Sequence, residues 1–441
     1  MKSLYWMTRD LRLHDNPALH AAAQGDQMLC VFVVEPHWFQ TGRYQSRAMG
    51  AWRWHFLWQS LMALEQALKA RSQRLHIAYG NPVEILPMLC RHHGLDHLVA
   101  SRLPGTEEAA AWEGIVEKLP DATCQQVETL SLFTESSLPM PIAELPDTFS
   151  AFRRQIEKSG LWCQTPVATP DILPPAPGVP EDGRDQCPIV HQQTTLAVTG
   201  GENAGLARLQ HYLFESDAIA TYKTTRNALD EDMASSRLSF WLANGSLSAR
   251  QVATEIRRYE QARTQNESTY WLWFELLWRE YFHWYAMRHG GCLFRYRGVS
   301  GARTRASFYP HRFKAWCEGS TEFYLVNAIM NQLRETGYIS NRARQIAASA
   351  LVNELGIDWR YGAAWFQQQL VDYDVASNWG NWQYVAGVGA DPRGGRHFNL
   401  AKQANQFDPD GHYVDRWRGV TDQAVGLHTV DAADWPIDPR G

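Results

Sequence analysis

The chain has 441 residues, 45% of them apolar and 20% charged, with a formal net charge of −5. That length exceeds one ordinary hydrophobic core and suits two or three domains, and the composition excludes wholesale disorder. The acidic balance excludes coating of nucleic acid along the whole chain but leaves room for a local basic groove, because binding by counterion release needs clustered Lys and Arg.

Residues 1–15 already carry Lys2, Arg9, Asp10, Arg12 and Asp15, so no apolar leader segment is expected there. No run approaches the roughly 18 apolar residues of a spanning helix. The seven cysteines are odd in number, far apart and without a Cys-x-x-Cys pair, which fits reduced thiols and no metal site. We therefore expect a cytoplasmic, metal-free protein without a membrane span, and a monomer. The unusual count is 19 Trp, eleven of them between Trp241 and Trp417. Packing is the default for such rings, with a stacking surface or an electron route as the alternatives.

In chain order, Leu4–Met7, Leu29–Val34, Leu75–Ala78, His97–Ala100 and Cys124–Val127 read as strands. Helical patterns lie between them near Ala18–Ala23, Ser46–Ala70, Pro82–His93 and Thr106–Leu119. Apolar runs alternating with helices imply a doubly wound α/β domain on a parallel sheet, assigned to residues 1–130. No Gly-x-Gly-x-x-Gly follows the first strand, so any ligand is held by other means than the ordinary dinucleotide fingerprint. Residues 131–203 form a connector, proline-rich from residue 160 on. From 204 to 420 the pattern is helical throughout, with a short tail at 421–441. Ser248–Gln251 reads as a capping box. Trp271–Met287 reads as an apolar helix interrupted by Glu275, Arg279, Glu280 and His283, charges that need partners. Further helices are expected at Tyr324–Thr336, Arg342–Glu354 and Tyr361–Val371.

Three segments carry candidate chemistry. Asp372 to Tyr384 places two carboxylates (Asp372, Asp374), an amide (Asn378) and oxidisable rings (Trp379, Trp382) within a few turns, as a polar cofactor in an aromatic cage would need. Asp caps before core tryptophans explain the same residues equally well. Asn341-Arg342-Ala-Arg344 opens a helix with two guanidinium groups suited to phosphate or to a carboxylate such as Asp374, or is a plain surface face. Ser235-Ser236-Arg237-Leu238-Ser239, with Tyr222, Lys223 and Arg226 upstream, clusters donors where phosphate could be cradled.

Taken together, the order and wording of these stretches resemble the photolyase/cryptochrome family. The resemblance rests on Trp6-Met-Thr-Arg-Asp-Leu-Arg12, Ser236-Arg-Leu-Ser239, Glu275-Leu-Leu-Trp-Arg-Glu280, Gly337 to Arg344, Asp358-Trp-Arg360 and Asn378-Trp-Gly-Asn-Trp382. Tyr222-Lys-Thr-Thr-Arg-Asn227, Asp372-Tyr-Asp-Val375, Tyr384-Val-Ala-Gly-Val-Gly389 and Asp408-Pro-Asp-Gly-His-Tyr-Val414 are similar to its DASH branch.

The resemblance implies an α/β domain joined by a long connector to an all-α FAD-binding domain. Tyr222 and Ser235, Ser236, Arg237, Leu238 and Ser239 are then expected at the FAD diphosphate, with Asp372, Asp374 and Arg279 also at the cofactor, Arg344 paired with Asp374, and Asn378 beside flavin N5. Glu275 is expected to hydrogen-bond a pyrimidine dimer and Trp278 to stack on it. Arg279, Asn341, Arg342, Gln345, Tyr384, Lys402 and Gln403 complete the substrate face. Gln345 stands where enzymes for (6-4) lesions carry a His, which disfavours that chemistry. Trp382 and Trp359 match the first two members of an electron-conducting chain whose third position falls on Ala306. Glu107 or Glu108 is expected at an antenna, commonly methenyltetrahydrofolate; two acidic residues in a helix's first turn are also simply favourable with its dipole. The implied activity is blue-light splitting of cyclobutane pyrimidine dimers, preferentially in single-stranded DNA. The alternatives are a photoreceptor that binds nucleic acid and signals, or a flavin electron-transfer protein.

Overall fold

The computed structural model describes residues 1–178, 182–190, 198–302, 304, 306–391, 393–422 and 424. Pro180 of the expected connector and all but three residues of the expected tail lie outside them. Five parallel strands form one sheet in the order β3-β2-β1-β4-β5: β1 Lys2–Trp6, β2 Gln27–Val34, β3 Leu75–Tyr79, β4 His97–Ser101 and β5 Thr123–Val127. Each expected strand is present within two residues of its expected ends. β2 is buried from Met28 to Val34 because helices cover both faces, leaving no solvent side for an alternating polar set. One apolar cluster packs Leu19, Leu57 and Leu61 beneath the sheet, and another packs Leu86, Leu89 and Ile115 above it.

The chain then crosses to a helical body through a helix at Phe149–Ser159, which the sequence reading did not anticipate inside the connector. The centre of that body is the helix Glu267–His289, started by Asn266, whose side chain accepts from Ser268 N and Thr269 N. Glu275, Arg279 and Glu280 on it find partners. Glu280, fully buried, accepts from Leu132 N (2.8 Å), Phe133 N (3.3 Å) and Trp284 Nε1 (2.6 Å), fastening the start of the connector. The expected capping box at Ser248 is a single cap: Ser248 Oγ accepts from Arg250 N, and Gln251 Oε1 stays without a partner among the described residues.

Three further helices matter for the site. Asn341–Ser349 continues as a wider turn through Glu354, and Trp359–Gln369 and Val375–Ala386 follow. Gly380 lets Val375–Ala386 approach the long helix, since a Cβ there would collide with the Phe282 ring. Gly362 does the same for the Trp382 ring. Among the described residues no helix is long and apolar enough to cross a membrane, and no cluster of His, Cys, Asp and Glu could hold a metal ion.

Candidate functional site

These three helices enclose a cavity of about 470 Å³, within the size range of small-molecule sites. Its polar wall comes from Asn341, Arg342, Arg344 and Gln345 on the first helix and from Asp372, Asp374, Ser377 and Asn378 at the start of the last. Phe366, Leu370, Trp382 and Val385 form the apolar wall, and Tyr384, Arg396 and Phe398 line it further.

The two carboxylates face different partners. Both oxygens of Asp372 accept from Arg344 Nη2, at 3.0 and 2.8 Å. The expected Arg344–Asp374 pair is therefore corrected to Arg344–Asp372. Asp374 is extended, at φ −123° and ψ 128°, and is the residue before the helix Val375–Ala386, so its carboxylate is committed to that helix's free N–H groups. Asp374 instead caps Val375–Ala386 by accepting from Ser377 N (2.8 Å), and it stands 3.5 Å from Arg9 of the α/β domain. Burial alone would push its carboxyl up; Arg279, Arg9 and Ser377 outweigh burial and hold it below the usual carboxylate range. Asn378 donates its amide to Ala363 O at 3.0 Å, which fixes the side chain's orientation on the cavity wall.

The serine segment meets this cavity through one ring. Arg237, in the left-handed region at φ 55°, lies over Tyr338 at 5.2 Å, and Arg344 lies over the same ring at 5.5 Å. Arg208 holds the segment's backbone by donating to Ser235 O and Ser236 O. Leu238 is buried, while Ser239 is exposed at the start of a short helix. Tyr222 is buried nearby, its hydroxyl pushed well up by desolvation, and it meets the edge of Tyr212, whose hydroxyl is buried without a partner. Arg342 Nε and Arg396 Nε are likewise buried and unpartnered among the described residues. Unsatisfied buried donors around a polar cavity fit an anionic, multiply accepting ligand.

Outside the cavity, Glu275 pairs with Arg226, a partner the sequence reading had placed only near phosphate. Arg226 and Lys223 both lie over Trp271, at 5.4 and 5.1 Å. Arg342 donates to Asn227 at 3.1 Å and so joins this rim to the cavity wall. Trp278 is not bare: Phe149 lies flat against it at 3.7 Å and 14°, and Tyr384 meets it edge-on at 5.8 Å. Arg279 turns inward to Leu130 O and Leu242 O. Lys402 is exposed on the helix Leu400–Phe407, and Gln403 beside it is buried with an unpartnered Oε1.

Residues 271–424 match the FAD binding domain of DNA photolyase, and residues 3–174 match the family described as DNA photolyase. A cryptochrome DASH of Idiomarina loihiensis is 44% identical over 436 residues, 98% of this chain and 96% of that one. One from Vibrio parahaemolyticus is 42% identical, over 98% and 97% of the two chains. The chain belongs to the photolyase/cryptochrome family. The crystal structure of a Synechocystis cryptochrome superposes with a TM-score of 0.90 at 38% identity, covering 94% of this chain and 88% of that one. A bacterial class III photolyase of Agrobacterium tumefaciens gives 0.82 at 30%, over 94% and 86%. The α/β domain followed by a helical FAD-binding domain is thus the architecture, and the protein is a photolyase/cryptochrome flavoprotein.

The tryptophans named in the sequence each sit in an aromatic group. Trp382 lines the cavity, and its ring neighbours are Phe366 at 5.1 Å and Trp316 at 6.3 Å. Trp359, fully buried, has Trp379 as its ring neighbour at 5.7 Å and donates to Tyr296 O. Glu107 and Glu108 sit in the first turn of the helix Thr106–Glu117, and Glu108 lies 3.6 Å from Arg9, which also faces Asp374. Glu35 completes this acidic group: burial, then Glu108 and Glu107, push its carboxyl up to about 7. Glu35 was missed because a lone Glu after a strand carries no pattern of its own.

Proposed function

We propose that the protein repairs cyclobutane pyrimidine dimers under blue light, preferentially in single-stranded DNA. The observation that supports this best is the juxtaposition of a polar, tryptophan-walled cavity with a rim of Arg226, Lys223, Trp271 and Arg342. Bound reduced FAD supplies, on light absorption, the electron that splits the dimer.

The chain's own groups bind and orient. Asp372 holds Arg344 in place, and Arg344, Asn378 and Asp374 present the polar wall to the flavin, with Arg279 keeping Asp374 ionised from behind. Tyr222 and Ser235–Ser239 take its diphosphate, with Arg208 bracing their backbone. Glu275 swings from Arg226 to hydrogen-bond the dimer and stabilise its added charge. Trp278 and Tyr384 meet the bases, while Asn341, Arg342, Gln345, Lys402 and Gln403 meet the strand. A paired dimer must leave its stack at a cost of a few kcal/mol, which a single strand mostly avoids; a chain of net charge −5 with a narrow basic rim is suited to the cheaper substrate. On this reading Glu107 and Glu108 hold a methenyltetrahydrofolate antenna. The domains are 1–130, 131–203, 204–420 and 421–441, and the protein is a cytoplasmic monomer.

One observation favours the second reading, a photoreceptor that binds nucleic acid with little repair: Phe149 covers the Trp278 face. The test illuminates the reduced holoprotein with dimer-containing single-stranded and duplex oligonucleotides and follows thymine recovery. Repair predicts recovery, faster on the single strand. No recovery on either substrate refutes the enzyme, and equal recovery on both refutes the preference.

A further inference from the structure

The residue that would end the electron chain is Ala306, and its surroundings show what stands in that place. Its carbonyl accepts from the hydroxyl of Tyr296 at 3.4 Å. Tyr296 is 3% exposed, and its hydroxyl donates to the carbonyls of Thr304 and Ala306, so this ring is turned away from solvent. The rings lead elsewhere. From Trp382 on the cavity wall, contacts run to Trp316 (6.3 Å), Phe313 (6.2 Å) and Tyr361 (5.6 Å). From Trp359 they run to Trp379 (5.7 Å), Tyr44 (6.3 Å) and Tyr361 (5.2 Å). Trp359 lies one turn before Gly362, whose missing side chain lets Trp382 rest on that helix, so the second arm also starts beside the cavity. Both arms end on Tyr44 and Tyr361, two half-buried phenols, one from each domain.

We propose that Tyr44 and Tyr361 form the solvent-side terminus of electron supply to the flavin. This rests on the flavin reading above. With oxidised FAD bound and excited by light, Trp382 would supply it one electron; the vacancy would pass by way of Trp359 and Trp379 to Tyr44 and Tyr361, the arm made only of oxidisable rings, and the tyrosine pair would give up one electron and release its phenolic proton to water. One neutral tyrosyl radical forms for each electron the flavin gains. Only a residue able to shed a proton holds the vacancy long enough to block its return, which a buried indole cannot do.

The test is time-resolved absorption and electron paramagnetic resonance on the oxidised holoprotein after a blue flash. The wild type should show a tyrosyl radical. The double variant Tyr44→Phe/Tyr361→Phe, which removes two hydroxyls and leaves both rings, should retain its flavin, lose that signal and return its charge at least ten-fold faster. A double variant with an unchanged long-lived radical, or a wild type ending on a tryptophan radical, overturns the terminus. Trp382→Phe separates the two layers. If it abolishes photoreduction while the double variant is silent, only the tyrosine terminus fails; if photoreduction survives it, the entry at the cavity fails as well.

Discussion

Glu275 sits at the boundary between binding and chemistry. It is two-thirds or more buried and its present partner is Arg226, so a dimer must compete for it. A hydrogen bond to a charged group contributes about 1.5–3 kcal/mol, or roughly ten- to a hundred-fold in rate if it is strongest in the transition state. Glu275→Gln should therefore lower repair turnover by about that factor while changing dimer affinity far less, measured by single-turnover thymine recovery beside a binding titration. Turnover at the wild-type level would remove Glu275 from the chemistry. The pairing itself was not legible in the sequence: Arg226 and Glu275 lie 49 positions apart, and only the packing of the short helix Tyr222–Thr225 on the long helix brings them together.

Elements were the most legible level, for a physical reason. Strands buried on both faces are mostly apolar runs, and β1 to β4 could be read from composition, while β5, Thr-Cys-Gln-Gln-Val and largely exposed at the sheet's edge, carries a weaker signal. The helix Phe149–Ser159 was hidden because only Phe149, Phe152 and Ile156 are buried on it, too few to stand out beside the prolines that follow. Phe149 then reaches Trp278, so the state of the expected stacking residue depends on an element the sequence did not announce. The Asp372/Asp374 exchange is similar: both acids were visible, but which one meets Arg344 is decided by where extended backbone turns into helix.

Gly380→Ala should force Phe282 from its place and cost about 1–3 kcal/mol, lowering the melting temperature and the flavin-to-protein ratio together. An unchanged melt would show that the helices part without strain. Glu280 links the connector to the long helix, and burial, against the donors that surround it, pushes its carboxyl up to about 7 from 4.5. The folded state therefore holds this proton more tightly than the unfolded chain. Its contribution is fully present below about pH 4.5 and is lost as pH rises through 7. Wild-type stability should fall over that window relative to Glu280→Gln, which cannot ionise; urea midpoints of the two proteins should converge or cross between pH 5 and 8, and parallel profiles would contradict the shift.

At the scale of the molecule, the two domains are joined by buried charge. Asp15, fully buried, accepts from Arg250 Nε at 3.0 Å and from Val167 N at 3.0 Å, and its side chain also meets Ser248. Arg12 reaches Gly245 O and Thr129 O from the same loop. Removing one member of a buried pair leaves the other uncompensated, at a cost of about 3–5 kcal/mol. Asp15→Ala should thus split chemical unfolding into two transitions, followed by far-ultraviolet dichroism; a single, unshifted transition would mean that the domains are held by apolar packing alone. Arg9 spans the same seam from Glu108 to Asp374, so an intact interface also fixes the cavity's entrance wall.

The proposed seat of FAD is the cavity among the helices 341–349, 359–369 and 375–386. The most direct measurement is the flavin released from purified wild type and from Ser377→Trp, which fills the cavity from its wall, with each protein's melt checked for folding. Near-equimolar FAD is expected in the wild type and almost none in the folded variant. Equimolar FAD in a folded Ser377→Trp protein, or a colourless wild type, would contradict this seat.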